Sequence, residues 1–139
     1  MVQCVFHDTG PAARDRRLFD LVESAYHARE PVVVFTRGDE RAQAIDRLLW
    51  ILRQEAFIPH RIVGQHEEAA EVPVVIVTSE IDPNGAGILI ADAHCGMDFA
   101  AAFGTVHEFV DRSSAEMHQS CRDRFRAYKD RGVPVEYRK

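Results

Sequence analysis

The sequence predicts an α/β fold: a mostly parallel central sheet with helices on both faces. Three observations predict it. Short β-branched runs alternate with segments of helical periodicity from end to end. Two of those runs, PVVVFT (31–36) and VPVVIVT (72–78), are almost wholly apolar, the pattern of strands covered on both sides. With 139 residues, 46% of them hydrophobic and 28% charged, the chain has an ordinary globular composition and enough apolar material for one core. A single three-layer α/β/α domain over residues 1–139 is therefore expected.

Each element has its own pattern. VQCVFH (2–7) reads as a strand, and 16–30 as a helix with Leu18, Leu21, Val22 and Ala25 at helical spacing. After the strand at 31–36, residues 39–54 form a helix that opens with Asp39 and Glu40 at its positive end and turns Ala44, Ile45, Leu48, Leu49 and Ile51 inward. HRIVG (60–64) and 72–78 are strands. DPNGAG (82–87) is a turn by its Pro, Asn and Gly content, and it leads into the strand ILIAD (88–92). A short helix at 98–103, a strand at 106–110, a helix at 113–131 and a last strand at 133–138 complete the chain. There is no internal repeat or low-complexity linker.

Several classes of function are disfavoured. No run approaches the roughly 20 apolar residues of a membrane span, and MVQCVFHDTG lacks a charged-then-apolar signal layout, so a cytoplasmic location is expected. Cys4, Cys95 and Cys121 are widely spaced and form no CxxC pair, which suits reduced structural thiols. HDTGPAARD and TRGDERAQ, the loops after the first two strands, each hold one glycine and no phosphate cradle. His7, His27, His60, His66, His107 and His118 show no HxxxH or HxH spacing. No cofactor and no metal are expected. DAHCG (92–96) puts His94 beside Cys95 at a strand end, where an enzyme could keep a thiol nucleophile. Neighbours in extended chain point to opposite sides, however, so His94 is poorly placed to serve Cys95.

Two segments are more informative. Trp50, the single tryptophan, sits towards the edge of its helix's apolar stripe, and Phe57 precedes Pro59, which holds Ile58 extended. Such a pair suits a protein-binding patch, whereas tryptophan in general is a core residue. In CRDRFRAYKDRG (121–132) five of the chain's 17 basic residues meet only two of its 22 acidic ones. Projected on a helix, Met117, Cys121, Phe125 and Tyr128 make an apolar stripe facing the sheet, and Arg122, Arg126 and Lys129 an adjoining basic one. A groove between them would take a ligand both hydrophobic and anionic, such as an acidic peptide ending in a large side chain. The competing readings are a solvated basic face and direct nucleic-acid binding, the latter weakened by a net charge of −5.

LLW (48–50), FIPH (57–60), FAAAFGTVHEFVD (99–111) and CRDRFRAYKDRG, in that order, resemble the chi-subunit family of the bacterial DNA polymerase III holoenzyme. The resemblance implies a non-catalytic adaptor in the clamp-loader assembly that binds the acidic, phenylalanine-ended C-terminal tail of single-stranded-DNA-binding protein. It implies a separate surface for the psi subunit or a helicase, contact with nucleic acid only indirectly, and no membrane. Carried over by motif position, the tail site comprises Val110, Arg122, Phe125 and Arg126, and the basic stripe adds Lys129. The second surface comprises Trp50, Phe57 and Pro59, with His60 beside them. Phe125 stands where the family usually has tyrosine, and Arg126 where it usually has lysine. The alternative is a nucleotide- or substrate-binding α/β enzyme with its site at His94 and Cys95.

Overall fold

The computed structural model describes residues 3–52 and 57–139, so the expected ends at Val2, Arg53 and Gln54 lie outside the described residues. Within them run β1 (Gln3–His7), α1 (Pro11–His27), β2 (Val32–Phe35), α2 (Asp39–Ile51), β3 (His60–Ile62), β4 (Val74–Val77), β5 (Ile88–Ala91), α3 (Met97–Ala101), β6 (Thr105–Phe109), α4 (Ala115–Asp130) and β7 (Val135–Arg138). The strands form one sheet in the order β3-β4-β2-β5-β6-β1-β7. Every pairing in it is parallel, which sharpens the expectation of a mostly parallel sheet.

Alternation along the strands builds two cores. Val32 and Val34 of β2 pack with Leu18, Phe19 and Val22 of α1 and Ala42, Ile45 and Leu49 of α2. Val33 and Phe35 point the other way, into a cluster with Ala100 of α3 and Tyr128 of α4. All four β2 residues are therefore buried, and the near-continuous apolar runs are explained by helices on both faces.

Two expectations are corrected. The first helix begins at Pro11, inside a stretch expected as loop: Gly10 at φ +72° sets the entry, and a proline at the first helical position lacks only an N–H that would be unpaired anyway. It ends at His27, before Arg29 at φ +59° and before Pro31, which disfavours helix at Glu30. On α2, Ile51 is 56% exposed rather than inward. The stripe that meets the sheet is Ala42, Ile45 and Leu49, and Ile51 lies about 200° around the helix from Leu49.

Connectivity places the two ends of the sheet under different helices. The chain leaves β6, returns through α4 and enters β7 on the far side of β1, so α4 crosses above β1. At the opposite end of the sheet α2 packs against β3 and β4.

Candidate functional site

The helix α4 is locally well specified. Ser114 caps it, its side chain accepting from the Met117 N–H at 3.0 Å, and Glu116 lies in the first turn and Lys129 in the last. Gly132, at φ +76°, makes the turn towards β7 in a conformation that side chains resist. Of the five basic residues in 121–132, Arg124 faces inward. Its Nε donates to both Glu108 oxygens at 2.9 and 3.1 Å, its Nη2 reaches Oε2 at 2.5 Å, and its Nη1 donates to the Cys95 carbonyl at 2.6 Å. The Tyr128 hydroxyl donates to the same Glu108 oxygen at 2.5 Å, and burial with that carboxylate pushes the phenol far above its ordinary range. These contacts tie α4 to β6.

With α4 anchored, a groove of about 480 Å³ opens between it and the sheet margin. Phe6, Val110 and Phe125 form an apolar base, with the Phe6 and Phe125 rings 5.3 Å apart. Arg122, Arg126 and Lys129 line the helix side, and the Lys129 ammonium lies 5.2 Å from the Phe125 ring centroid. Among the described residues neither Arg122 nor Arg126 has an acidic partner. All five residues expected at a tail site, Val110, Arg122, Phe125, Arg126 and Lys129, thus border one depression.

Sequence reasoning missed three other lining residues, Arg112 and Tyr137 on the opposite side and His118 in the first turn of α4 itself. Arg112 Nη2 donates to Asp8 at 2.6 Å, its Nη1 lies 3.2 Å from His118 Nε2, and Tyr137 donates to the same Asp8 carboxylate. Hydrogen bonds from Arg112 and Tyr137 hold the Asp8 carboxyl below its usual range. Asp8 so neutralises this wall, and the uncompensated charge sits on α4. Arg112 lies two residues past Val110, the one sequence signal for it; Phe6 and Tyr137 arrive through strand order.

The residues expected at a second surface lie beside β3. Trp50 and Phe57 are 53% and 55% exposed, with ring centroids 5.0 Å apart, and Trp50 meets His60 edge-on at 5.1 Å. Trp50 is therefore a surface residue. The His60 side chain is itself fully buried, its Nδ1 2.7 Å from the Ile58 carbonyl and its Nε2 3.2 Å from Asp46. It backs Trp50 from beneath. Pro59 is half-buried next to it.

The family model described as "DNA polymerase III chi subunit, HolC" matches residues 1–136. The chain belongs to the DNA polymerase III chi subunit family. It is 32% identical to DNA polymerase III subunit chi of Pseudomonas aeruginosa, over 95% of this chain and 90% of that one. To DNA polymerase III subunit chi of Escherichia coli K12 it is 24% identical, over 88% of this chain and 83% of that one. Among solved structures, T4 UvsW superposes with a TM-score of 0.67 at 11% identity, a likeness of fold alone. That match covers 99% of this chain and 40% of the UvsW chain.

In this chi-family chain the strand ends where α/β folds often hold ligands carry a network of ion pairs and hydrogen bonds among its own side chains. Asp92, just past β5, accepts from Thr36 Oγ1 at 2.5 Å and from Arg41 Nε and Nη2 at 3.0 and 2.9 Å, and pairs with Arg14 at 3.2 Å. Against the opposing effect of burial, bonds from Arg41 and Thr36 hold its carboxyl below the usual range. Next to it, His94 Nε2 faces Cys121 Sγ at 3.7 Å, whereas Cys95 lies near Arg124. Burial lowers His94 and pushes the Cys95 thiol up to about 11. Among the described residues no histidine faces Cys95, and a buried thiol that resists ionisation lacks the activation a nucleophile needs. Among the described residues no group of three or more His, Cys, Asp or Glu could hold a metal ion, and no helix is long and apolar enough to cross a membrane.

Proposed function

We propose that this chi-family chain is a non-catalytic adaptor of the replication machinery, joining the clamp-loader assembly to single-stranded-DNA-binding protein by holding that protein's acidic, phenylalanine-ended tail in the α4 groove. The observation that supports this reading is the meeting of an apolar base, Phe6, Val110 and Phe125, with the guanidinium groups of Arg122 and Arg126, which have no acidic partner among the described residues. Burying a terminal phenyl ring contributes on the order of 2 kcal/mol or more, and a charge-assisted bond from its carboxylate roughly 1.5–3 kcal/mol. Together they are a large part of the about 8 kcal/mol of a micromolar complex. Preceding acidic residues then meet Lys129 and its neighbours at longer range, adding association rate and salt sensitivity. The Trp50–Phe57 surface serves a second protein, a psi subunit or a helicase, so that nucleic acid is reached only through partners.

Titration calorimetry with a synthetic tail peptide tests this. Arg122→Ala or Arg126→Ala should weaken binding by about tenfold to a hundredfold, Lys129→Ala mildly, and removal of the terminal phenylalanine as severely as loss of an arginine. At 100 times its dissociation constant the peptide should stabilise the fold by about 2.7 kcal/mol, whereas nucleotides should leave the melting temperature unchanged. Wild-type affinity in both arginine variants would sink the assignment.

A further inference from the structure

The groove runs beside an open sheet margin. β7 closes one end of the sheet, and among the described residues nothing pairs with its outer side. On its inner side the Cys4 N–H donates to the Pro134 carbonyl at 2.9 Å and the Asp8 N–H to the Arg138 carbonyl at 2.7 Å, in a register that sets Cys4 opposite Val135 and Phe6 opposite Tyr137. In a parallel ladder, alternate residues of a strand turn both backbone groups to the same neighbour. Pro134, Glu136 and Arg138 therefore serve β1, and Val135 and Tyr137 aim their N–H and C=O groups outward.

The side chains of the same two residues lie on the α4 face. Val135 packs against that core, and Tyr137, 46% exposed, borders the groove. From Arg122 to Lys129 the basic stripe of α4 extends about 10 Å along the helix, close to the rise of three strand residues. A segment laid along β7 would alternate its side chains towards that stripe and away from it.

We propose that an acidic peptide ending in phenylalanine binds as an added strand on β7, exchanging main-chain hydrogen bonds with Val135 and Tyr137 while its terminal ring fills the groove. The proposal rests on the tail-binding reading and specifies its geometry. Continuity with the groove and charge complementarity with Arg122, Arg126 and Lys129 select this occupant. Pro134 at the head of β7 and the charged Glu136 and Arg138 discourage apolar strands from pairing there.

The test combines residue-resolved amide exchange on the full chain with calorimetry on peptides N-methylated at one residue at a time. With saturating peptide, exchange at Val135 and Tyr137 should slow by about tenfold or more. N-methylation at alternate peptide residues should weaken binding about tenfold while leaving the intervening positions neutral. Tight binding with unchanged exchange at Val135 and Tyr137, and no alternation in the N-methyl series, would overturn the added strand and leave the groove reading standing. Absence of binding by any peptide would overturn both. Protection that appears without peptide and grows with protein concentration would instead make a second copy the occupant, and overturn the proposal.

Discussion

Arg124 and Glu108 form a buried, two-pronged ion pair beneath α4, with Nη2 to Oε2 at 2.5 Å and side chains only 12% and 1% exposed. Removing one member leaves the other charged and desolvated, which costs about 3–5 kcal/mol, whereas replacing both by apolar residues of similar size is often near neutral. Arg124→Met should therefore lower the urea midpoint and the melting temperature strongly, by roughly 10 °C or more for a domain of this size. Arg124→Met with Glu108→Leu should recover much of the loss. Arg122→Ala, on the same helix but exposed, should leave stability within about 0.5 kcal/mol.

Acid should weaken the fold well before its carboxylates titrate. His7 Nε2 lies 2.9 Å from His107 Nδ1, and Arg17 reaches His7 Nδ1 at 2.7 Å. Burial first, then His107, Arg17 and Arg138, lower His7 to about 3; burial and then Arg138 lower His107 to about 4. Both lie below the ordinary 6.5, so between about 6.5 and 4 the unfolded chain binds more protons than the native one, and stability falls as pH falls. Urea denaturation from pH 7.5 to 4.5 should show this slope, and His107→Gln should flatten it. A wild-type profile level over that range would contradict the arrangement.

Trp50 and Phe57 stack on the surface, so neither supports the core to any great extent. Trp50→Ala and Phe57→Ala should each cost less than about 1 kcal/mol of stability while abolishing capture of a partner subunit, with tail-peptide affinity intact. His60→Ala, which removes a buried support and its bonds to Ile58 and Asp46, should instead cost stability and partner capture together. A steep stability loss in Trp50→Ala would return that residue to the core.

Asp92 balances two half-buried arginines. Asp92→Asn keeps its volume but removes the acidic partner of Arg14 and leaves Arg41 only its pair with Asp15, and should destabilise by about 1–3 kcal/mol. Thermal unfolding would measure it, and tail binding should be untouched.

The sequence makes the layered fold legible because each strand and helix carries its own periodicity, and the apolar run at 32–35 states that both sheet faces are covered. What it leaves open depends on contacts distant in the chain. Arg124 falls by helical spacing beside Tyr128, on the edge of the inward stripe, but only strand order brings Glu108 beneath it to pair with. Val110, Arg122, Phe125, Arg126 and Lys129 are reachable through helical projection and family motifs, but Phe6, Arg112 and Tyr137 join them from β1, the segment between β6 and α4, and β7. Nor does local pattern show that His60 is a prop rather than a contact. The early start of α1 at Pro11 is obscured by a stretch without apolar periodicity.

The sheet order also fixes a distance. β3, with the Trp50 surface, and β7, with the groove, are the two outermost strands, six spacings apart. At about 4.8 Å per spacing they stand roughly 29 Å from each other. Five hydrogen-bonded strands lie between, clad by helices, so the span behaves as a stiff strut rather than a flexible tether. Two bound proteins would be kept at a set separation, free of mutual collision, and each would be loaded independently of the other.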